Sequence, residues 1–167
     1  MSNGLRSVQA YVSLILVIAV VVLSTGTYLR WWDLHFSIGA FYSHHWVGFI
    51  GAGWIAVFTP IYVVLKRRSP KQFKTLLSIH VFGNLVAFLL ISIHFTQHMG
   101  RPAEFAPVLG TGLALYIIVA IMVVTGLMQR FRLAARLRSS WRFTHASLSL
   151  SFYIVGIIHV IRNLGAI

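Results

Sequence analysis

The chain contains no cysteine, and aspartate and glutamate together account for only 2 of its 167 residues. Without cysteine, disulfides, cysteine-ligated iron–sulfur clusters and haem attached through thioether bonds are all excluded. Charged residues make up 10% of the chain, against about 25% in a soluble domain. This shortage of charge excludes a water-soluble globule and predicts an integral membrane protein.

Apolar residues, at 58% of the chain, are gathered in five long runs bounded by charged or turn-forming residues. Each run is long enough for a transmembrane helix, which needs about 20 residues. The first is a retained helix rather than a signal peptide, because it is too long and is followed by Arg30 and Trp31 instead of a small-residue cleavage site. Five spans leave no room for a flavin or nicotinamide domain within this chain. We therefore predict an all-α fold, a single domain over 1–167 formed by an integral membrane bundle of five transmembrane helices at about 8–29, 45–65, 75–97, 107–128 and 142–161.

The basic residues are distributed unevenly along the chain. Eleven of the 14 lysines and arginines lie in the N-terminal segment and in the loops 66–74 and 130–142, which a five-span topology places on one side of the membrane. Both acids, Asp33 and Glu104, fall on the other side. The positive-inside rule then puts the N-terminus in the cytoplasm and the C-terminus outside, in a plasma or inner membrane. The net charge of +12 therefore reflects this topology and contact with anionic lipids, and it does not indicate nucleic-acid binding. Within the second basic loop, residues 130–138 are predicted to form a short interfacial helix.

The eight histidines are the most informative residues, since ionisable side chains are costly inside a bilayer and usually mark a pathway or a ligand. His80 and His94 lie on the third predicted helix, and His145 and His159 on the fifth, each pair 14 positions apart. In an α-helix this spacing puts both side chains near one face, about 21 Å apart along the axis. The two helices run in the same direction at matched depth, so helices that face each other would oppose His80 to His145 and His94 to His159. Because two neutral imidazoles on opposite sides of a porphyrin ligate a six-coordinate haem iron, the spacing predicts an inner haem at the first pair and an outer haem at the second.

Two other functions would use the same residues. A proton or metal-ion transporter would use the histidines as a relay or as ligands, although neither acidic residue lies in a span. A non-catalytic membrane assembly subunit would use them only for hydrogen bonds between helices. Gly83 and Gly156, each one turn from a predicted ligand, fit both room for a macrocycle and close helix packing.

Each of the two parallel helices carries a pair of histidines separated by 13 residues. This pattern resembles the di-haem core of the ferric-reductase-like transmembrane family and related small b-type cytochromes. The resemblance covers residues 75–161. It implies two haem b groups that pass electrons singly across the membrane, with axial ligands His80, His94, His145 and His159. The ferric reductases carry a flavin and nicotinamide domain after the last helix, whereas this chain ends at Ile167. We therefore expect a quinol-linked cytochrome b subunit of a larger oxidoreductase, supplied by quinol or by another redox subunit, with no catalytic residue of its own.

Four further histidines and three charged residues are predicted to lie near the outer membrane surface: His35, His44, His45, His98, Asp33, Arg101 and Glu104. Three interpretations stay open for them: a quinol site in which His44, His98 or an acid accepts protons, a metal site, and polar residues at the water interface. His98 and Arg101 are also candidate contacts of the outer haem propionates, and Lys74 and Arg142 are candidates for the same role on the inner side.

Overall fold

The computed structural model describes residues 3–32, 34, 36–100, 110–133 and 135–163, with the backbone alone for 3–7 and 135. Within these residues the chain forms five long helices, all of them long and apolar enough to cross a membrane. This confirms the all-α prediction and makes the chain a multi-pass membrane protein. The helices are α1 (Asn3–Tyr28), α2 (Ser43–Arg68), α3 (Phe73–Met99), α4 (Gly110–Phe131) and α5 (Arg138–Asn163).

Several helices continue beyond the spans that hydropathy indicated. For example, α2 ends at Arg68 rather than at residue 65, and α5 begins at Arg138 rather than at residue 142. Lysine and arginine can extend their apolar stems along the helix while the charge stays in water, so a helix need not end where the apolar run ends. Hydropathy therefore located the membrane segment of each helix but not the helix ends. The predicted start of the fourth helix at residue 107 lies outside the described residues.

The predicted interfacial helix at 130–138 is wrong. Instead α4 continues to Phe131, where Arg132 adopts a left-handed φ of 57° and the Leu133 N–H donates to the Met128 carbonyl at 3.0 Å. This pattern of bonds terminates a helix. Only a single 3-10 turn, Ala135–Leu137, then precedes α5, because too few residues remain for a separate helix.

The chain divides into two compact units, and the first, Met1–Ala106, contains α1, α2 and α3. Both α1 and α2 pack against α3, and the buried side chains of Ile55, Leu85 and Ile91 form part of this core. The helices α2 and α3 approach closely at Gly51, where an added Cβ would lie 2.7 Å from the Ala87 carbonyl oxygen. Such close approach at small residues is typical of helix packing in membranes.

A short β-ribbon, absent from the sequence prediction, fixes the start of α2. Its strands, Ser37–Ile38 and Phe41–Tyr42, pair in antiparallel fashion around Gly39, whose φ of 62° suits glycine. The next residue, Ser43, donates its N–H to the Phe36 carbonyl at 2.9 Å and its hydroxyl to the Leu34 carbonyl. These bonds hold the first turn of α2, which carries two of the histidines, against the preceding chain.

The second unit, Pro107–Ile167, is a hairpin of the antiparallel helices α4 and α5. Val119 and Met122 on α4 and Phe152 on α5 are buried, and the Gln129 amide donates to the Trp141 carbonyl at 3.2 Å near the connecting turn. This packing sets the register between the two helices, so that each histidine of α5 meets a defined position on α4.

Candidate functional site

The two histidines of α5 occupy equivalent positions against α4. His145 Nδ1 lies 3.1 Å from the Thr125 hydroxyl, and His159 Nδ1 lies 3.1 Å from the Thr111 hydroxyl. A glycine follows each threonine, and a Cβ added there would lie 3.3 Å from the Cε1 atom of the facing imidazole. The hairpin thus repeats one arrangement twice, at the 14-residue spacing of the histidines. We call Thr111-Gly112 and Thr125-Gly126 the Thr-Gly pairs.

The hydrogen bonds of His145 define which ring nitrogen carries the proton. Its Nδ1 lies 3.0 Å from the Met122 carbonyl oxygen, and a carbonyl only accepts, so Nδ1 must be the donor. In the neutral imidazole the lone pair is then on Nε2, which is the form that ligates a metal while the other nitrogen is held by a hydrogen bond. His159 Nδ1 has two neighbours: the Thr111 hydroxyl at 3.1 Å, which can accept a hydrogen bond, and Asn163 Nδ2 at 3.3 Å, which can only donate one. His159 takes the same form as His145 when its Nδ1 donates to the Thr111 hydroxyl, while Asn163 Nδ2 donates to the His159 carbonyl at 2.6 Å.

His94 on α3 is held in the same way by α2. Its Nδ1 donates to the His44 carbonyl over 2.8 Å, which again leaves the lone pair on Nε2. A glycine also lies beneath this ring: a Cβ added at Gly48 would be 2.8 Å from His94 Cγ and 2.9 Å from Nδ1. His94 therefore depends on a glycine and a backbone carbonyl of the neighbouring helix, as His145 does.

His80 has a different environment. The Tyr62 ring stacks on its imidazole at 4.3 Å between centroids with an interplanar angle of 12°. Its Nδ1 lies 3.3 Å from Nδ2 of Asn84, one turn further along α3, while Asn84 Oδ1 is buried and lacks a hydrogen-bond partner among the described residues. Rotation of this amide by about 180° would turn Oδ1 toward Nδ1 as an acceptor, which would place the lone pair of the neutral His80 ring on Nε2.

These four histidines fit the ligands of a haem iron in their chemistry. Each is half-buried, each has a hydrogen-bonding group of its own unit at Nδ1, and each can present Nε2 as the ligand atom. The proposed opposition of His80 to His145 and of His94 to His159 would join the two units and stays a prediction. Gly83 was predicted to give room to a macrocycle or to close helix packing. It lies against the Trp54 indole, which a Cβ added at this position would overlap.

Three of the four histidines predicted near the outer surface come together with His94 where α2 begins and α3 ends. The ring centroids of His44 and His45 are 4.2 Å apart, and those of His44 and His98 are 4.9 Å apart. One ligand atom from each of these three residues lies within 4.8 Å of the others, and His44 is fully buried. We call His44, His45 and His98 the histidine cluster. The fourth outer histidine and the charged residues predicted near it lie outside the described residues: His35, Asp33, Arg101 and Glu104.

The predicted inner propionate contacts are both exposed. Lys74 lies in the first turn of α3 and Arg142 in the second turn of α5. Their roles toward a haem stay predictions, as do the contacts of His44 and His98 with quinol or propionate.

Sequence reasoning missed the groups that hold the histidines: the Thr-Gly pairs, Gly48 and the Met122 carbonyl. One signal was present, because the dipeptide Thr-Gly recurs at the same 14-residue interval as the histidines of α5. Comparisons of the chain with protein-family models, curated proteins and solved structures found no match. Fold and site therefore define the chain as an all-α, multi-pass membrane protein with hydrogen-bonded intramembrane histidines.

Proposed function

We propose that this protein is a di-haem b-type cytochrome that passes electrons across the membrane in which its five helices lie. The observation that carries the proposal is that each of the four histidines at 80, 94, 145 and 159 has a hydrogen-bonding group of its own unit at Nδ1, an arrangement in which Nε2 can serve as the ligand atom. A histidine that served only to join helices would have no need of a glycine beneath the ring, such as Gly48 beneath His94. Two such histidines on each of α3 and α5 match the requirement of two bis-imidazole haems.

The residues of the chain would control the ligands rather than perform bond chemistry. Haem iron, when bound, supplies reversible one-electron transfer. The Met122 carbonyl and the Thr-Gly pairs would keep the α5 imidazoles neutral, oriented and electron-rich. The His44 carbonyl and Gly48 would do the same for His94. Such outer contacts set the affinity and reduction potential of a metal centre.

The proposal includes the orientation of the chain in the membrane and the kind of membrane that the sequence implies. The N-terminus would be cytoplasmic and the C-terminus outside, in a plasma or inner membrane, because basic residues concentrate on one side. The donor would be quinol or another redox subunit, as the resemblance to the ferric-reductase-like transmembrane family implies for a chain of this kind. The protein would then act as a cytochrome b subunit of a larger oxidoreductase.

The test is an absorption spectrum of the purified full chain, oxidised and then reduced with dithionite, together with extraction and counting of haem. We expect two haems b per chain with low-spin, bis-histidine spectra. A well-folded preparation without a Soret band after haem supplementation would refute the proposal and leave transport or a role in assembly. One haem per chain would show that one of the two histidine pairs is misassigned.

The threonines of the Thr-Gly pairs give a graded prediction. Thr111→Val should weaken haem retention about 10-fold or more, the range found when outer contacts of metal ligands are removed. Thr125→Val should have a smaller effect, because His145 Nδ1 keeps its bond to the Met122 carbonyl. The measurement is haem loss to a competing apoprotein, followed by absorbance. Thr59→Val on α2 is the control, since the Thr59 hydroxyl has no hydrogen-bond partner in the described part of the chain. Equal effects of all three variants would contradict the assigned role.

A further inference from the structure

The histidine cluster unites three imidazoles from two helix ends. His44 and His45 are in the first turn of α2, and His98 is in the last turn of α3. The ring centroids of His45 and His98 are 5.5 Å apart, and the three ligand atoms lie within 4.8 Å of one another. Three potential ligands from separate helices are thereby gathered at one point of the first unit.

Local structure holds both helix ends in place. The β-ribbon fixes α2 through Ser43, and the Trp46 indole N–H donates to the Ile38 carbonyl at 2.9 Å. At the other end, the Arg30 guanidinium donates to the Gly100 carbonyl at 2.9 and 2.6 Å, which ties the end of α1 to the end of α3. The ligands are thus positioned before any ion binds, which reduces the ordering that binding must impose.

We propose that His44, His45 and His98 bind a first-row transition-metal ion such as Zn²⁺. Imidazole nitrogen suits zinc and copper, whereas Mg²⁺ and Ca²⁺ require oxygen ligands. Zinc binds imidazole at about 2.0–2.1 Å in tetrahedral geometry, which places ligand nitrogens about 3.3 Å apart. The three ligand atoms already lie within 4.8 Å of one another, so zinc binding would require them to approach by at most about 1.5 Å.

The site has three protein ligands and therefore one open position. Zinc sites with three protein ligands keep the fourth position for water or an exchangeable ligand. His94 does not fill it through Nδ1, because that atom donates to the His44 carbonyl. Metal binding by His44 and His98 would take the place of the quinol or propionate contacts predicted for them from the sequence.

The site is linked to the proposed outer haem but does not depend on it. The His44 main chain accepts the hydrogen bond of His94 at 2.8 Å, so the residue that would ligate the metal also orients a proposed haem ligand. Every ligand of the metal lies in α2 or α3, within the first unit. Metal binding is therefore expected with or without haem.

The test is zinc binding by the full chain, prepared without a polyhistidine tag and stripped with a chelator. Equilibrium dialysis and elemental analysis should give one Zn²⁺ per chain, unaffected by excess Mg²⁺. His45→Gln and His98→Gln should each weaken binding by more than about 10-fold, since each removes one of three ligands. Thr59→Val, on α2 but outside the histidine cluster, is the control and should bind zinc as the unaltered chain does. Folding of each variant is checked by far-ultraviolet circular dichroism.

The outcomes separate this proposal from that of haem binding. Equal zinc binding by the unaltered chain and by the His45→Gln and His98→Gln variants would overturn the metal site, whatever the haem content. The chain could instead take up no haem but bind zinc in a way that the two substitutions abolish. That result would support the metal site and would refute only the proposal that the protein is a cytochrome.

Discussion

Replacing His145 with leucine is expected to reduce the haem content from two per chain to one. Leucine is apolar and of similar size, so the helix remains suited to lipid, but the iron loses an axial ligand. The imidazole is half-buried and its Nδ1 already donates to Met122, so Nε2 is the atom whose loss matters. The measurement is haem extraction combined with a redox titration, in which one of two transitions should disappear.

The same experiment on the other histidines tests how the ligands pair. His80→Leu should remove the haem that His145→Leu removes, and His94→Leu and His159→Leu should remove the other. The double variant His80→Leu with His145→Leu would then retain one haem, whereas His145→Leu with His159→Leu would retain none. A spectrum unchanged by His145→Leu would contradict the ligand assignment and favour an assembly subunit. Retention of one haem by the His145→Leu, His159→Leu double variant would contradict the pairing.

The helices could be predicted because the bilayer imposes one requirement on each. A spanning segment must be apolar over about 20 residues and must satisfy its own backbone hydrogen bonds. The run from Val8 to Leu29, for instance, meets both conditions, and α1 occupies it up to Tyr28. The ends were not predictable, because the continuation of α4 to Phe131 depends on a left-handed Arg132 and its local hydrogen bonds. Such terminal geometry leaves no clear trace in hydropathy.

Only the part of the candidate haem site that depends on a single helix could be predicted from the sequence. The spacing of His145 and His159 fixes their common face on α5 without knowledge of any neighbour. The acceptors that hold them belong to α4, and their identity depends on the register between antiparallel helices, which the two sequences alone do not determine. The histidine cluster was harder still. His44 and His98 are 54 positions apart, and they meet because the β-ribbon and the packing of α2 on α3 bring them together.

Gly48→Ala is expected to disrupt the environment of His94. The added Cβ would lie 2.8 Å from Cγ and 2.9 Å from Nδ1 of His94, closer than carbon and nitrogen atoms can approach without displacement. Cγ is next to the stem of the side chain, so the ring cannot move away by a small rotation. It must give up its 2.8 Å bond to the His44 carbonyl. Overpacking of this kind costs about 1–3 kcal/mol, and we expect the outer haem to be lost or bound at least about 10-fold more weakly.

Gly53→Ala is a control for the same chemical change on the same helix. A Cβ added at Gly53 would meet no atom of the described residues within 4 Å apart from the adjoining backbone of its own helix, and alanine in a helix interior is favoured over glycine by about 0.5–1 kcal/mol. The Gly53→Ala variant should therefore keep two haems and equal or exceed the thermal stability of the unaltered chain. Haem extraction and thermal unfolding, measured side by side, check both expectations. If Gly48→Ala retained both haems with unchanged potentials, the contact of α2 with His94 would have no part in haem binding, and the ligand of the outer haem on the first unit would have to be sought elsewhere.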